Sequence, residues 1–291
     1  MLDDGTHIAE RYTICNGLRL HVVEAGPAEG PLVILLHGFP EFWWGWRHQI
    51  GALARAGFHV LVPDQRGYNQ SDKPDGIRPY RIDRLASDIL ALADAHGHKS
   101  FDLGGHDWGS IVAFWLAARH PERVRRLAVL NGPHPDAIGP YMRRHPTQVL
   151  RSLYAGFFQL PRLPERALSG RNHALLTRAL AASARKDAFS ARDFARYRGA
   201  WAEPGALTAM LNWYRALVQL KRPPAGRVAC PTLVIWGLRD AALSRGLADA
   251  SLALCDRGEI LWRPNATHWV QHEDVAPVNE ALVAHLQRPE P

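Results

Sequence analysis

The chain has 291 residues, 47% of them hydrophobic and 22% charged, the composition of a globular protein with one large domain or two smaller ones. Its longest apolar runs, Leu32 to Leu36 and Ile111 to Ala118, fall far short of the roughly 20 residues of a membrane span, so no membrane partner is expected. The net charge is +7, but the basic residues are nearly all arginines, scattered in blocks no longer than Arg125-Arg126 or Arg143-Arg144 and without a nucleic-acid motif, which sets nucleic acid aside as a partner.

Cys15, Cys230 and Cys255 are odd in number and lack C-x-x-C spacing, which points to a reducing compartment. Met1 to Gly5 shows neither the basic nor the apolar part of a signal peptide, so a cytoplasmic location is expected.

In chain order, Tyr12 to Cys15 and Leu18 to Val23 flank Asn16-Gly17, a pair suited to the two positive-φ positions of a type I′ hairpin turn. Leu32 to Leu36 is a continuous apolar run, the pattern of a strand buried on both faces. It leads into His37-Gly38-Phe39-Pro40-Glu41 and an aromatic cluster. A helix from Gln49 to Ala56, a strand from Phe58 to Val62 and a turn-rich loop at 63–74 follow, then a helix from Ile82 to His96 with apolar residues at helical spacing. Phe101 to Ser110 is a short apolar strand that breaks at a glycine pair into a helix, and Arg126 to Leu130 is the next strand. From 136 to 222 no buried strand pattern occurs. The strand and helix rhythm resumes at Pro231 to Gly237, Ser244 to Leu254, Glu259 to Trp262 and Val275 to Leu286. This alternation predicts a doubly wound, mostly parallel α/β sheet. The expected organisation is a core of residues 1–135 and 223–291 with an inserted helical cap at 136–222.

The chemistry centres on Gly105-His106-Asp107-Trp108-Gly109. A turn from strand to helix this tight excludes side chains on either side of its central residue and exposes that residue above a helix N-terminus. The pattern is similar to the nucleophile elbow of α/β-hydrolases, with Asp where esterases carry Ser. A carboxylate acylates poorly but attacks sp3 carbon, giving an alkyl ester that water then cleaves. The electrophile it suits is an epoxide or an alkyl halide. Asp240, after the strand ending Trp236-Gly237, and His268, after the last strand, follow in the chain order acid then base, at the sheet edge where such folds bind ligands. His37 to Pro40 suits the second half of an oxyanion hole, with one N–H from Phe39 and one from Trp108.

Together these residues make the chain resemble the epoxide hydrolases of the α/β-hydrolase family over nearly its whole length. The likeness rests on His37-Gly38-Phe39-Pro40-Glu41, Asp64-x-Arg66-Gly67-Tyr68, Gly105-His106-Asp107-Trp108-Gly109, Trp236-Gly237-x-x-Asp240 and His268-Trp269-Val270-x-x-Glu273. It implies a cis Phe39–Pro40 bond and two cap tyrosines over the nucleophile. Tyr154, before Phe157-Phe158-Gln159-x-Pro161, and Tyr214, in Leu211-Asn212-Trp213-Tyr214-Arg215, fit that role as donors to the epoxide oxygen. His37, Pro40, Phe157, Trp213 and Trp269 are expected around the substrate, a small apolar epoxide, with water as co-substrate. No cofactor or metal is expected, and the protein would act as a monomer or homodimer. Asn69 and Gln65 depart from the family pattern, in a loop.

Rival readings are a haloalkane or haloacetate dehalogenase with the same Asp nucleophile, and a non-catalytic receptor for a small ligand on a hydrolase scaffold. A haloalkane dehalogenase would want Asn in place of Phe39, and a fluoroacetate dehalogenase arginines just after the nucleophile, where this chain has Trp108 to Ile111. His268 and His272 have a spacing that two metal ligands on one helix can use, but no H-E-x-x-H accompanies them.

Overall fold

A computed structural model describes residues 1–289. Eight strands form one sheet: β1 (Ala9–Cys15), β2 (Leu18–Ala25), β3 (Leu32–Leu36), β4 (His59–Pro63), β5 (Phe101–His106), β6 (Val124–Leu130), β7 (Thr232–Gly237) and β8 (Gly258–Arg263). Their order is β1-β2-β4-β3-β5-β6-β7-β8. Only the β1–β2 and β2–β4 pairs are antiparallel. Asn16 and Gly17 both have positive φ, 51° and 75°, as the hairpin turn requires. β1 begins at Ala9, earlier than its sequence pattern suggests, because it is the sheet edge and most of its side chains stay in water.

The central strands bury every residue of β3, β4, β5 and β7, which is why they read as largely apolar runs, interrupted only by His59, Asp102, His106 and Thr232. On the faces lie α1 (Arg47–Arg55), α2 (Ile82–Ala95) and α3 (Trp108–Arg119). Residues 108–117 of α3 are all buried, so the helix is apolar all round and serves as the central post of the core. Each fully buried Leu, Val or Phe there contributes about 1.5–3 kcal/mol.

Between β6 and β7 the described chain is helical: α4 (Pro135–Arg144), α5 (Pro146–Arg151), α6 (Leu153–Phe157), α7 (Leu163–Ser183), α8 (Ala191–Ala202) and α9 (Ala206–Gln219). α7 is broken by non-helical backbone at Gly170 to His173. α8 starts on a capping box in which Ser190 and Asp193 satisfy each other's backbone N–H groups, worth about 1 kcal/mol. The chain closes with α10 (Arg245–Leu252), α11 (Val270–Glu273) and α12 (Val275–Leu286).

Candidate active site

Asp107 sits between β5 and α3 with φ 52° and ψ −117°, a conformation costing on the order of 1–3 kcal/mol. The flanking glycines are needed for space. A Cβ on Gly105 would meet the backbone of Gly109, and one on Gly109 would fall on the Leu36 carbonyl. The turn is pressed against the end of β3, which brings the loop after β3 to the nucleophile. There the Phe39–Pro40 bond is cis, and the Phe39 N–H donates to Asp107 Oδ1 at 2.8 Å. The Trp108 N–H opens α3, where no carbonyl of the helix is available to it.

Asp107 Oδ2 lies 3.4 Å from His268 Nε2, and His268 Nδ1 is 2.8 Å from Asp240 Oδ2. Asp240 is saturated: Asn131 Nδ2 donates to Oδ2, and the N–H groups of Ala242 and Leu243 donate to Oδ1, each at 2.8 Å. Burial alone would raise the Asp240 carboxyl, but the neighbouring His268 and these donors hold it below the usual carboxylate range. Burial likewise opposes the charged form of His268, yet Asp240 and Asp107 outweigh it and push the imidazole up to about 10. The resting site therefore holds an imidazolium between two carboxylates.

Tyr154 and Tyr214 meet above this group, their ring centroids 6.0 Å apart. Tyr214 is 7% exposed and packs edge-on against Trp108 and Phe39. Tyr154, at the outer end, is 39% exposed. Burial and then the charge of Asp107 raise the hydroxyl of Tyr154, and burial, Tyr154 and Asp107 raise that of Tyr214, so both stay protonated. The structure thus brings Asp107, His268, Asp240, Tyr154, Tyr214, Phe39 and Trp108 to one place.

The expected substrate contacts are placed mainly as supports. His37 is fully buried; its Nε2 accepts from the Gln65 N–H and its carbonyl from the Gln65 side chain. The Pro40 carbonyl accepts from the Trp201 indole at 2.6 Å. The Trp213 indole donates to the Arg66 carbonyl, and that of Trp269 to Ser183. Phe157 is half-buried beside Phe158. Gln65 therefore does more than shape a loop: it holds the His37 segment. Asn69 has φ 42°, a left-handed conformation that Asn tolerates better than other side chains, and donates to Asp64.

Sequence reasoning missed the hub beneath the site. Glu41 is 1% exposed and accepts from the Tyr197 hydroxyl at 2.5 Å, His272 Nε2 at 2.8 Å and Gln271 Nε2 at 3.0 Å. His106 Nδ1 lies 3.2 Å away, while its Nε2 contacts the His268 carbonyl. His272 is not paired with His268 on a helix, since His268 precedes α11. Its Nδ1 accepts from Arg47. Burial draws it down to about 4, leaving a neutral ring whose tautomer its two partners fix. One carboxylate thus ties the oxyanion loop, the residue before the nucleophile, the segment after the base and α8 together. The charged type of Glu41 between Pro40 and an aromatic cluster was the only clue in the sequence.

A groove of about 690 Å³ lies along the N-terminal segment, lined by Asp4 to Ala9, Glu24 and Arg55, and shares no residue with this site.

A nucleophile, an acid and a base in this order, after the carboxyl ends of β5, β7 and β8, define a hydrolase site of one architecture. The α/β-hydrolase fold profile matches residues 31–275, and the chain belongs to that family. It is 45% identical over 279 residues to the AB hydrolase superfamily protein YfhM of Bacillus subtilis (strain 168), covering 95% of this chain and 97% of that one. It is 34% identical over 289 residues to mouse Epoxide hydrolase 4, covering 97% and 80%. The crystal structure of a Bacillus megaterium epoxide hydrolase in complex with an inhibitor superposes with a TM-score of 0.87 at 30% identity, covering 96% of this chain and all of that one.

Proposed function

We propose that this chain hydrolyses an apolar epoxide to a vicinal diol through an ester on Asp107, beneath a cap formed by residues 136–222. The observation that carries the reading is the pair of protonated hydroxyls, Tyr154 and Tyr214, held beside the charge of a strained aspartate. Its similarity to named epoxide hydrolases supports it.

Asp107 Oδ2 attacks an epoxide carbon, the C–O bond breaks, and the oxygen takes a proton from the tyrosine pair. The charge of Asp107 disappears as the ester forms, which removes one cause of the raised tyrosine values just when a proton must leave. His268 loses the same stabilising charge and returns a proton to the tyrosine, becoming neutral. It then takes a proton from water, and hydroxide adds to the ester carbon. The former Oδ1, held by the Phe39 N–H, carries the tetrahedral oxyanion. Collapse expels the diol alkoxide, which takes the remaining acyl hydroxyl proton. Asp107 is again a carboxylate and His268 again an imidazolium, so protons balance over the cycle.

We further infer a cytoplasmic site of action, on the three free buried thiols. The test is turnover of styrene oxide, bromobutane and fluoroacetate, following diol and halide, with a Tyr154→Phe/Tyr214→Phe variant. Diol from the wild type, lost in the double variant, is expected. Halide release that survives the double variant would make the enzyme a dehalogenase, and no turnover of any of the three would favour a receptor.

A further inference from the structure

The helical run formed by α5 and α6 is built inside out. Gln148 is its buried residue, 1% exposed, bonded to the Ala242 carbonyl and to the Ser244 N–H. Val149, Leu150 and Leu153 follow at helical spacing and face outward, 41%, 66% and 62% exposed. The stripe ends at Tyr154, over the nucleophile, so it borders the mouth of the site.

The charge along the same stretch of chain is of one sign. Between Asp136 and Asp187 the sequence holds a single carboxylate, Glu165. Glu165 is taken by Arg215 and Asp136 by Arg222. Arg143, Arg144, Arg162, Arg166, Arg171 and Arg178 are all exposed, and among the described residues none has a carboxylate partner. The stretch of chain that exposes these leucines is thus strongly basic.

We propose that the α5–α6 face docks on an anionic phospholipid surface, lying in the interface with its leucines among the lipid chains and its arginines on the headgroups. An apolar stripe flanked by arginines is the composition of a surface-lying amphipathic helix. The lack of a spanning segment does not bear on it, because no helix crosses the bilayer. The mouth beside Tyr154 would then open towards the phase in which an apolar epoxide concentrates.

Flotation of the purified protein with vesicles tests this independently of the chemistry, since binding needs no turnover. Vesicles of phosphatidylcholine mixed one to one with phosphatidylglycerol should carry the protein, and vesicles of phosphatidylcholine alone should not. Raised salt should weaken the binding. Arg144→Ala/Arg166→Ala should lower partitioning about twenty-five-fold, at about fivefold per arginine. Leu150→Asn should also weaken it, and neither variant should alter turnover of a water-soluble epoxide. Equal binding to both vesicle types, no binding to either, or binding indifferent to these substitutions overturns the proposal. So does a wild-type dimer that Leu150→Asn dissociates and that ignores vesicles, which would make the stripe a contact between copies.

Discussion

Replacing His268 by Gln separates the two halves of the proposed reaction. In the resting protein His268 Nε2 stands 3.4 Å from Asp107 Oδ2, and Asp240 holds its other nitrogen at 2.8 Å. A glutamine fills similar volume but cannot take a proton from water. Ester formation keeps its nucleophile, the Phe39 N–H and both tyrosines, with solvent re-supplying the tyrosine proton. Ester hydrolysis loses its general base, worth about 10²- to 10⁴-fold. If the two steps run at similar rates in the wild type, a 10²-fold loss in the second leaves about 99% of the enzyme as ester. Quenched mixing with styrene oxide followed by intact mass measurement should show protein plus one epoxide, and peptide mapping should place the adduct on Asp107. Turnover close to that of the wild type, or turnover lost with no adduct, refutes the assignment of the base.

Tyr154→Phe and Tyr214→Phe should each slow ester formation in a stopped-flow burst by about tenfold or more, and together by about 10²- to 10⁴-fold, with little change in melting temperature. His268 has a folded value of about 10, above its ordinary 6.5; the stability it contributes is therefore complete below 6.5 and lost as pH rises through about 10. Thermal melts across that window should show the fall in the wild type, and Asp240→Asn should flatten it. Glu41→Gln turns one acceptor oxygen into a donor facing donors, and a buried partner removed in this way costs about 3–5 kcal/mol, measurable by urea unfolding. Trp201→Phe deletes the donor to the Pro40 carbonyl and should cost about 1–3 kcal/mol for the orphaned acceptor.

Elements whose pattern is local were legible in the sequence. β3 and α12 end where the apolar runs do, and the elbow announces itself because the crowding of Gly105 and Gly109 has a fixed spacing. Asp240 and His268 could be placed because each follows a strand end. What escaped the sequence depends on separation along the chain: Glu41 meets Tyr197 156 residues away and His272 231 residues away. No periodicity links such positions. The inverted run at 148–157 was hidden for a related reason, since helical spacing identifies an apolar face without saying whether it turns to the core or to water. Trp213 and Trp269 read in the sequence as aromatics around the substrate, and the sequence could not show that their indole N–H groups also donate to the Arg66 carbonyl and to Ser183.

The two bonds from α8, Trp201 to the Pro40 carbonyl and Tyr197 to Glu41, have a consequence for how such enzymes can be recombined. A cap is inserted between two strands and could be exchanged as a cassette to change which molecules are accepted. Here the cassette also holds the segment that carries the Phe39 N–H. A chimaera with a foreign cap lacking an equivalent Tyr and Trp should still admit its own ligand and yet turn it over poorly. Selectivity and rate should then be inherited together, and a graft that transfers one should carry those two side chains to keep the other.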